Sequence, residues 1–157
     1  PDDPIFTPAG NIPDRIRDYC RKTNQDVPRN EAEIVRCINE SLAFKYRIAL
    51  EEIEDCTDKK YSKLYMLGGG TQSRLLSQMT ANACNIKVYG GPIEATVLGN
   101  IAIQLIASGN IKDLKEARRI INDSHNIDEY IPKESKLWDK EFSRFKKIIK
   151  KGELIKC

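Results

Sequence analysis

Five neighbouring residues with small side chains, or none, form the part of this sequence best suited to bind a ligand. They are Gly68, Gly69, Gly70, Thr71 and Ser73. A backbone without Cβ atoms can turn sharply and lets a flat or charged ligand approach closely. Either hydroxyl can cap the helix that follows. The amides at a helix N-terminus suit phosphate or ribose oxygens.

The glycine run matches neither of the two common phosphate-binding motifs. Ser73 stands where the third glycine of the dinucleotide fingerprint would be, and no Gly-Lys-Ser/Thr follows, as a P-loop would require. Residues 63–67 before it are too short for a helix and predict a buried strand. The local pattern therefore leaves two interpretations open, a structural turn and a ligand-binding loop.

The five cysteines give no sign of a metal site. They stand at 20, 37, 56, 84 and 157, without a C-x-x-C motif or a histidine cluster. The odd number and wide spacing are typical of a reducing cytosol, so we expect a cytoplasmic protein. Cys20 and Cys37 flank a short loop between two predicted helices and are either free thiols or a pair.

The remaining candidate acid–base residues are interpreted as surface groups. His125 is the only histidine and lies in a polar loop without a recognisable partner. Glu51, Glu52 and Glu54 fall on the solvent side of a predicted helix and are interpreted as solvated charges.

Composition describes one globular unit and argues against two classes of partner. The chain has 157 residues, of which 31% are charged and 40% hydrophobic, and its net charge is +3. A dedicated nucleic-acid-binding domain would be more basic. The longest apolar stretch, 97–107, is interrupted by Asn100 and Gln104 and is too short to span a bilayer. We therefore expect neither nucleic acid nor membrane as a partner. Because the chain opens on Pro1 in mid-loop, we also expect a piece of a longer protein.

Periodicity and capping residues predict a helix-rich α/β fold with few strands. The predicted strands are 63–67 and 86–89. The predicted helices are 31–55, 72–83 and 94–108, with others starting at Asn11 and Asp113. Residues 1–10 and 124–133 are predicted loops. Helix 94–108 is apolar on all sides and is expected to be buried, with Ala95, Gly99 and Ala102 letting another backbone approach.

The C-terminal region, 133–157, predicts an amphipathic helix and tail. Its apolar stripe, spaced four, three and four, consists of Trp138, Phe142, Phe145 and Ile149. Aromatic residues among lysines can bind nucleic acid or a membrane surface. That spacing is also what a helix docked on a protein core needs, and we favour this second interpretation.

Three blocks of sequence together resemble the C-terminal lobe of the FGGY carbohydrate kinases. They are 67–78, which contains the glycine loop, 81–84, and the Gly-Pro-Ile-Glu-Ala-Thr-Val-Leu-Gly block at 91–99. Segments 2–4, 20–37 and 38–43 are similar to the same family. The resemblance covers the chain to about Pro132. It implies that 1–157 is the C-terminal portion of a nucleotide-binding lobe, with 1–10 a loop, 11–132 the family core, and 133–157 an appended helix and tail.

The resemblance implies an ATP-dependent enzyme built from two actin-like, ribonuclease-H-like lobes. Sugar binds mostly to the N-terminal lobe, which is absent here, and Mg-ATP lies against the C-terminal one. The glycine loop would then contact adenosine, chiefly through Gly69, and the helix carrying Glu94 would support it. Ser73 and Asn82 depart from relatives that carry asparagine and aspartate there.

The resemblance also implies what the chain lacks. The Asp-x-Gly-Thr phosphate motif, the second phosphate loop and the catalytic aspartate belong to segments outside it. Phosphoryl transfer needs a base, metal and positioned phosphates together, so we expect this chain to contribute no catalytic residue and to be inactive alone. The alternative is a free-standing, non-enzymatic module, either a helical interaction module or a nucleotide-binding one.

Overall fold

Six helices and three short strands make up the computed structural model, which describes residues 2–154. The helices are α1 Ile12–Lys22, α2 Glu31–Thr57, α3 Arg74–Cys84, α4 Ala95–Ala107, α5 Leu114–Ser124 and α6 Ser135–Leu154. The strands are β1 Lys63–Met66, β2 Lys87–Gly90 and β3 Asp128–Tyr130. Two single 3-10 turns, Pro4–Phe6 and Gly69–Gln72, complete the set. The predicted helix-rich α/β class with few strands is confirmed.

The sheet is mixed, with β2 in its centre. β1 pairs parallel to β2 and places Met66 opposite Gly90. β3 pairs antiparallel to β2, with Tyr130 opposite Val88. The prediction that 124–133 is all loop was therefore wrong. Three residues starting with two acidic side chains carry no strand signal of their own, and the pairing with β2 defines β3.

Local capping fixes the helix starts as predicted. The Asn30 side chain accepts a hydrogen bond from the Glu33 amide at 2.9 Å, and the Glu33 carboxylate accepts one from the Arg29 amide at 2.6 Å. Asp113 caps α5 in the same way, accepting from the Glu116 amide at 2.9 Å. Such caps satisfy amides that lack acceptors inside the helix.

Helix α6 docks its aromatic stripe on the main core. Phe142 is 2% exposed and its ring centroid lies 5.8 Å from that of Phe44, while the Trp138 ring lies 5.3 Å from the same Phe44. Met79 and Ala83 of α3 close this cluster. The interpretation of α6 as a core-facing helix is confirmed, with Trp138 and Phe142 buried and Phe145 partly buried against the same cluster.

A second cluster fills one face of the sheet, between the strands and α3. It consists of Met66, Leu76, Ala81, Val88 and Tyr130. The strand prediction and the inward prediction for Leu76 and Met79 are confirmed. Leu75, also predicted inward, is half-exposed, because only the neighbouring helical positions point to the sheet and to α2.

Helix α4 differs most from expectation, because it is largely exposed. Only Ala102 of this helix is buried, and it packs with Ile111 and Ala117 beside α5. Val97 and Ile101 are half-exposed, and a Cβ placed on Gly99 would meet no atom within 4 Å. The prediction of a buried α4 was wrong for this chain, since α5 covers only one side of it.

Across the part of the chain that the structure describes, no helix has the length and hydropathy needed to cross a membrane.

Two of the cysteines share a hydrogen bond between α1 and α2. Cys20 is buried, Cys37 is half-buried, and both are free thiols. The bond from the Cys20 thiol lowers the pKa of Cys37, with help from the Ser41 hydroxyl, and raises the pKa of Cys20. Cys157 lies outside the described residues.

We expect alkylation of Cys37 to start at lower pH than is usual for a cysteine. The thiolate is the reactive form, and a lowered pKa means that it forms earlier as pH rises. Cys20→Ala removes the donor and should shift the Cys37 pH–rate profile to higher pH. Mass spectrometry after timed iodoacetamide pulses measures this.

Cys84 serves as the internal control for that experiment. Burial raises the pKa of Cys84 to about 12, so it should stay unmodified in the native protein near neutral pH. An unchanged Cys37 profile in Cys20→Ala would contradict the assigned hydrogen bond.

Candidate functional site

Both glycine-rich turns of the chain lie at the same edge of the sheet. Because β1 and β2 run parallel with Met66 opposite Gly90, the turns that follow them leave from the carboxyl ends of neighbouring strands. In open α/β sheets, ligands bind beyond the carboxyl ends of the strands. The topology therefore brings the predicted ligand loop to the edge where a ligand is expected.

The glycine loop, residues 68–70, is held in shape by its own hydrogen bonds. Gly68 has φ +81°, a conformation that other residues rarely adopt. Its carbonyl accepts from the Thr71 amide at 3.1 Å and from the Thr71 hydroxyl at 2.8 Å. The Ser73 amide donates to the Gly70 carbonyl at 3.2 Å. Thr71 thus closes the loop, which enters α3 through the turn Gly69–Gln72.

The backbone of Gly69 and Gly70 faces open space. A Cβ placed on either residue would meet no atom within 4 Å, so nothing inside the chain requires glycine there. The first amides of a helical turn have no acceptor within the turn. The arrangement suits a flat ligand that lies directly on the backbone, and added side chains would fill that space.

The start of α3 has positive electrostatic character. The Ser73 oxygen accepts from the Leu76 amide at 3.3 Å, which confirms the predicted cap, and its hydroxyl proton remains able to donate. The first turn carries no acidic residue and begins with the exposed Arg74. Arg74 lies 4.0 Å from the Asp128 carboxylate, a loose contact. The helix dipole and this guanidinium both favour an anionic group.

The second turn supports the first through two backbone hydrogen bonds. The Gly91 amide donates to the Met66 carbonyl at 2.9 Å, and the Gly68 amide donates to the Pro92 carbonyl at 3.2 Å. These bonds extend the pairing of β1 and β2 past the ends of both strands. Glu94 then stands at the N-cap position of α4, without a side-chain bond to that helix. The start of α4 is therefore tied to the glycine loop.

A polar cluster on the uncovered face of the sheet was missed by sequence reasoning. The Tyr65 and Tyr89 rings stack at 5.3 Å, and the Tyr89 hydroxyl and Lys87 ammonium both donate to one Glu129 oxygen at 2.9 Å. Bonding to Glu129 raises the pKa of Lys87, and bonding to Lys87 lowers the pKa of Glu129. Each of the strands β1 and β2 carries one tyrosine, two residues after a lysine, and this was the available signal, but Glu129 stood in a predicted loop.

The other candidate residues have structural or surface positions. His125 is exposed as predicted, with Nδ1 at 3.1 Å from the Ile121 carbonyl. Glu54 was wrongly interpreted as a solvated charge, because its carboxylate accepts from Lys60 Nζ at 2.5 Å and from the Tyr61 amide at 3.0 Å. Asn82 is buried and accepts from the Lys133 amide at 2.9 Å, so it positions the chain after β3.

Three known proteins with one function are similar to this chain. The rhamnulokinase of Bacteroides thetaiotaomicron is 39% identical over 150 residues, which is 96% of this chain and 31% of that protein. The rhamnulokinases of Bacillus subtilis and Enterobacter sp. strain 638 are 40% and 39% identical over 132 residues, 84% of this chain and 27% of each relative. The chain thus spans less than a third of the length of the relatives it matches.

A family model matches the same region of the chain. The model of the C-terminal domain of the FGGY carbohydrate kinases covers residues 1–108, from the first loop to the end of α4. That range contains the glycine loop and the supporting 91–92 turn. The helix-rich α/β architecture agrees with the expected lobe of an actin-like ATPase. The chain therefore belongs to the FGGY family of carbohydrate kinases, as part of its C-terminal domain.

Proposed function

We propose that this chain is the ATP-binding part of a cytoplasmic rhamnulokinase that phosphorylates L-rhamnulose at its 1-hydroxyl. The names of the three relatives support this substrate. The observation that carries the nucleotide assignment is the open backbone of Gly69 and Gly70 at the carboxyl edge of two parallel strands. Bare backbone in that place lets a nucleoside lie flat against the protein.

In this proposal each residue of the loop has a separate task. Adenosine lies on Gly68, Gly69 and Gly70, with Gly69 as the main contact. Thr71 keeps the loop closed through its bond to the Gly68 carbonyl. Ser73 caps α3 and donates its free proton to a ribose or phosphate oxygen. Bound ATP supplies the phosphoryl group.

Magnesium enters the proposal only as part of the nucleotide complex. Within residues 2–154, no group of three or more acidic, histidine or cysteine side chains is arranged to hold a metal ion. We therefore place Mg²⁺ on the phosphates of ATP and ADP, with any protein ligands outside this chain. The sugar and the catalytic base belong, in the same proposal, to the N-terminal lobe. The proposal also divides the chain into a first loop (1–10), a family core (11–132) and an appended segment (133–157).

Titration of the ¹⁵N-labelled chain with MgADP tests nucleotide binding directly. Saturable chemical-shift changes are expected at the amides of Gly68, Gly69 and Gly70. The chemical shift of the Gly109 amide, in the loop after α4, should not change, and this amide serves as the control. Changes confined to α6, or none that saturate, would contradict the proposal. Rhamnulose-dependent ADP formation from ATP by this chain would contradict its expected inactivity.

The interaction-module alternative has lost its main support. It depended on the aromatic stripe of α6 being available to a partner, and Trp138 and Phe142 are buried in the core. No other observation on α6 favours it.

A further inference from the structure

We propose that Leu67, which rests on the bare backbone of Gly91, positions the glycine loop and thereby sets its affinity for nucleotide. The inference rests on the proposed function, since it concerns how the same loop is held. It assigns Leu67 a positioning role rather than a contact with the ligand.

The closest approach at either glycine turn is between Leu67 and Gly91. A Cβ placed on Gly91 would lie 2.5 Å from Leu67 Cδ2 and 3.9 Å from Leu67 Cγ. Real Cβ atoms do not come so close to another carbon, so Gly91 must lack a side chain for Leu67 to keep its place. Gly90, the preceding residue, shows only ordinary contacts of 3.6 Å and more. The requirement is therefore specific to position 91.

Core burial does not explain why Leu67 lies there. Its side chain is 59% exposed, so removing it from water contributes little to the stability of the fold. It stands directly between the last residue of β1 and the first glycine of the loop. A contact at that point bears on the direction in which the chain leaves the strand.

Two hydrogen bonds surround the Leu67 contact. The Met66 carbonyl before it accepts from Gly91, and the Gly68 amide after it donates to Pro92. Leu67 and Gly91 thus lie inside a small ring of backbone that joins the two turns. The near atom is the end of the Leu67 side chain, and Leu67 is 59% exposed, so a side chain at 91 would turn Leu67 away into solvent. The backbone ring would then lose the side chain that rests on it beside Gly69, where we place the ligand.

A set of three variants tests the role of this contact. Gly91→Ala and Leu67→Ala should each raise the Kd for MgADP by about threefold, because each removes the same support. In the double variant that contact can be lost only once, so its Kd should equal that of either single variant instead of the product of both effects. Gly90→Ala is the matched control and should bind like the unmodified chain. Calorimetry gives the Kd values and thermal melting checks that each variant is folded.

The ligand-free spectra separate this inference from the proposed function. Gly91→Ala and Leu67→Ala should each shift the amides of Gly69 and Gly70 without nucleotide, and the double variant should shift them no further than either single variant. If MgADP does not bind at all, the proposed function fails. The ligand-free amide shifts then still decide whether Leu67 positions the glycine loop. Unshifted loop amides with unchanged Kd in Gly91→Ala would overturn the inference. So would additive effects in the double variant, or a Leu67→Ala variant that loses binding with its loop amides unmoved, which would make Leu67 a direct contact.

Discussion

Gly69→Val is expected to raise the Kd for MgADP by about a hundredfold or more while leaving thermal unfolding nearly unchanged. The added side chain would occupy the space above the backbone where we place adenosine. A hundredfold change corresponds to about 2.7 kcal/mol of binding free energy. Within the chain a Cβ at this position meets no atom within 4 Å, so the free energy of unfolding should change by no more than about 0.5 kcal/mol.

Gly99→Val is the matched control for Gly69→Val. It makes the same chemical change at another glycine whose Cβ would meet nothing within 4 Å, in α4 and outside the loop. It should keep its affinity for MgADP. Undiminished binding by Gly69→Val would remove the loop from the site. Loss of binding together with a large fall in melting temperature would contradict the open environment of Gly69.

Phe142→Ala is expected to lower the free energy of unfolding by about 3–5 kcal/mol, as removal of a buried phenylalanine usually does. Its ring packs on Phe44, and the Arg47 guanidinium lies 4.1 Å above it. Arg47 also donates to the Ala83 carbonyl at 3.0 Å and so links α2, α3 and α6. Loss of the ring should therefore loosen the attachment of α6. The total free energy of unfolding of a domain of this size is only about 5–15 kcal/mol, so this loss is a large part of it.

Urea denaturation followed by the fluorescence of Trp138, the only tryptophan, measures this loss. Leu137→Ala is the matched control, because Leu137 is an apolar residue of the same helix that is 52% exposed. It should change stability by no more than about 0.5 kcal/mol. A Phe142→Ala variant less than about 1 kcal/mol below the unmodified chain would show that α6 is not part of the folded core. The alternative in which α6 offers its aromatic stripe to a partner would then regain support.

Features with local causes could be predicted from the sequence. The Asn30–Glu33 cap, the strand before the glycines and the Ser73 cap depend on residues that are four positions apart or fewer. The α6 stripe could be predicted as well, since its spacing shows which side needs a core. In each case the physical requirement is visible within one or two helical turns.

Features that depend on residues far apart in the chain could not be predicted from the sequence. β3 exists because it pairs with β2 about forty residues earlier in the chain, and its own three residues favour no strand. The contact between Leu67 and Gly91 depends on the register of β1 and β2, which no local pattern fixes. The burial expected for α4 depended on what lies against it, and within the described residues only α5 does so substantially. The sequence identified the glycine loop. Its open face and the hydroxyl bonds that close it could be seen only in the structure.

The position of β1 at the edge of the sheet has a consequence for handling the isolated chain. Its outer side presents backbone groups with no neighbouring strand among the described residues, and Tyr65 within it and Leu67 directly after it are exposed. Such edges act as templates on which strands from other molecules can add. A strand added there would run about 4.8 Å from β1, close to where the glycine loop begins. Aggregation through this edge would therefore start beside the glycine loop, and a charged residue introduced on β1 to keep the protein in solution would alter the surroundings of that same loop.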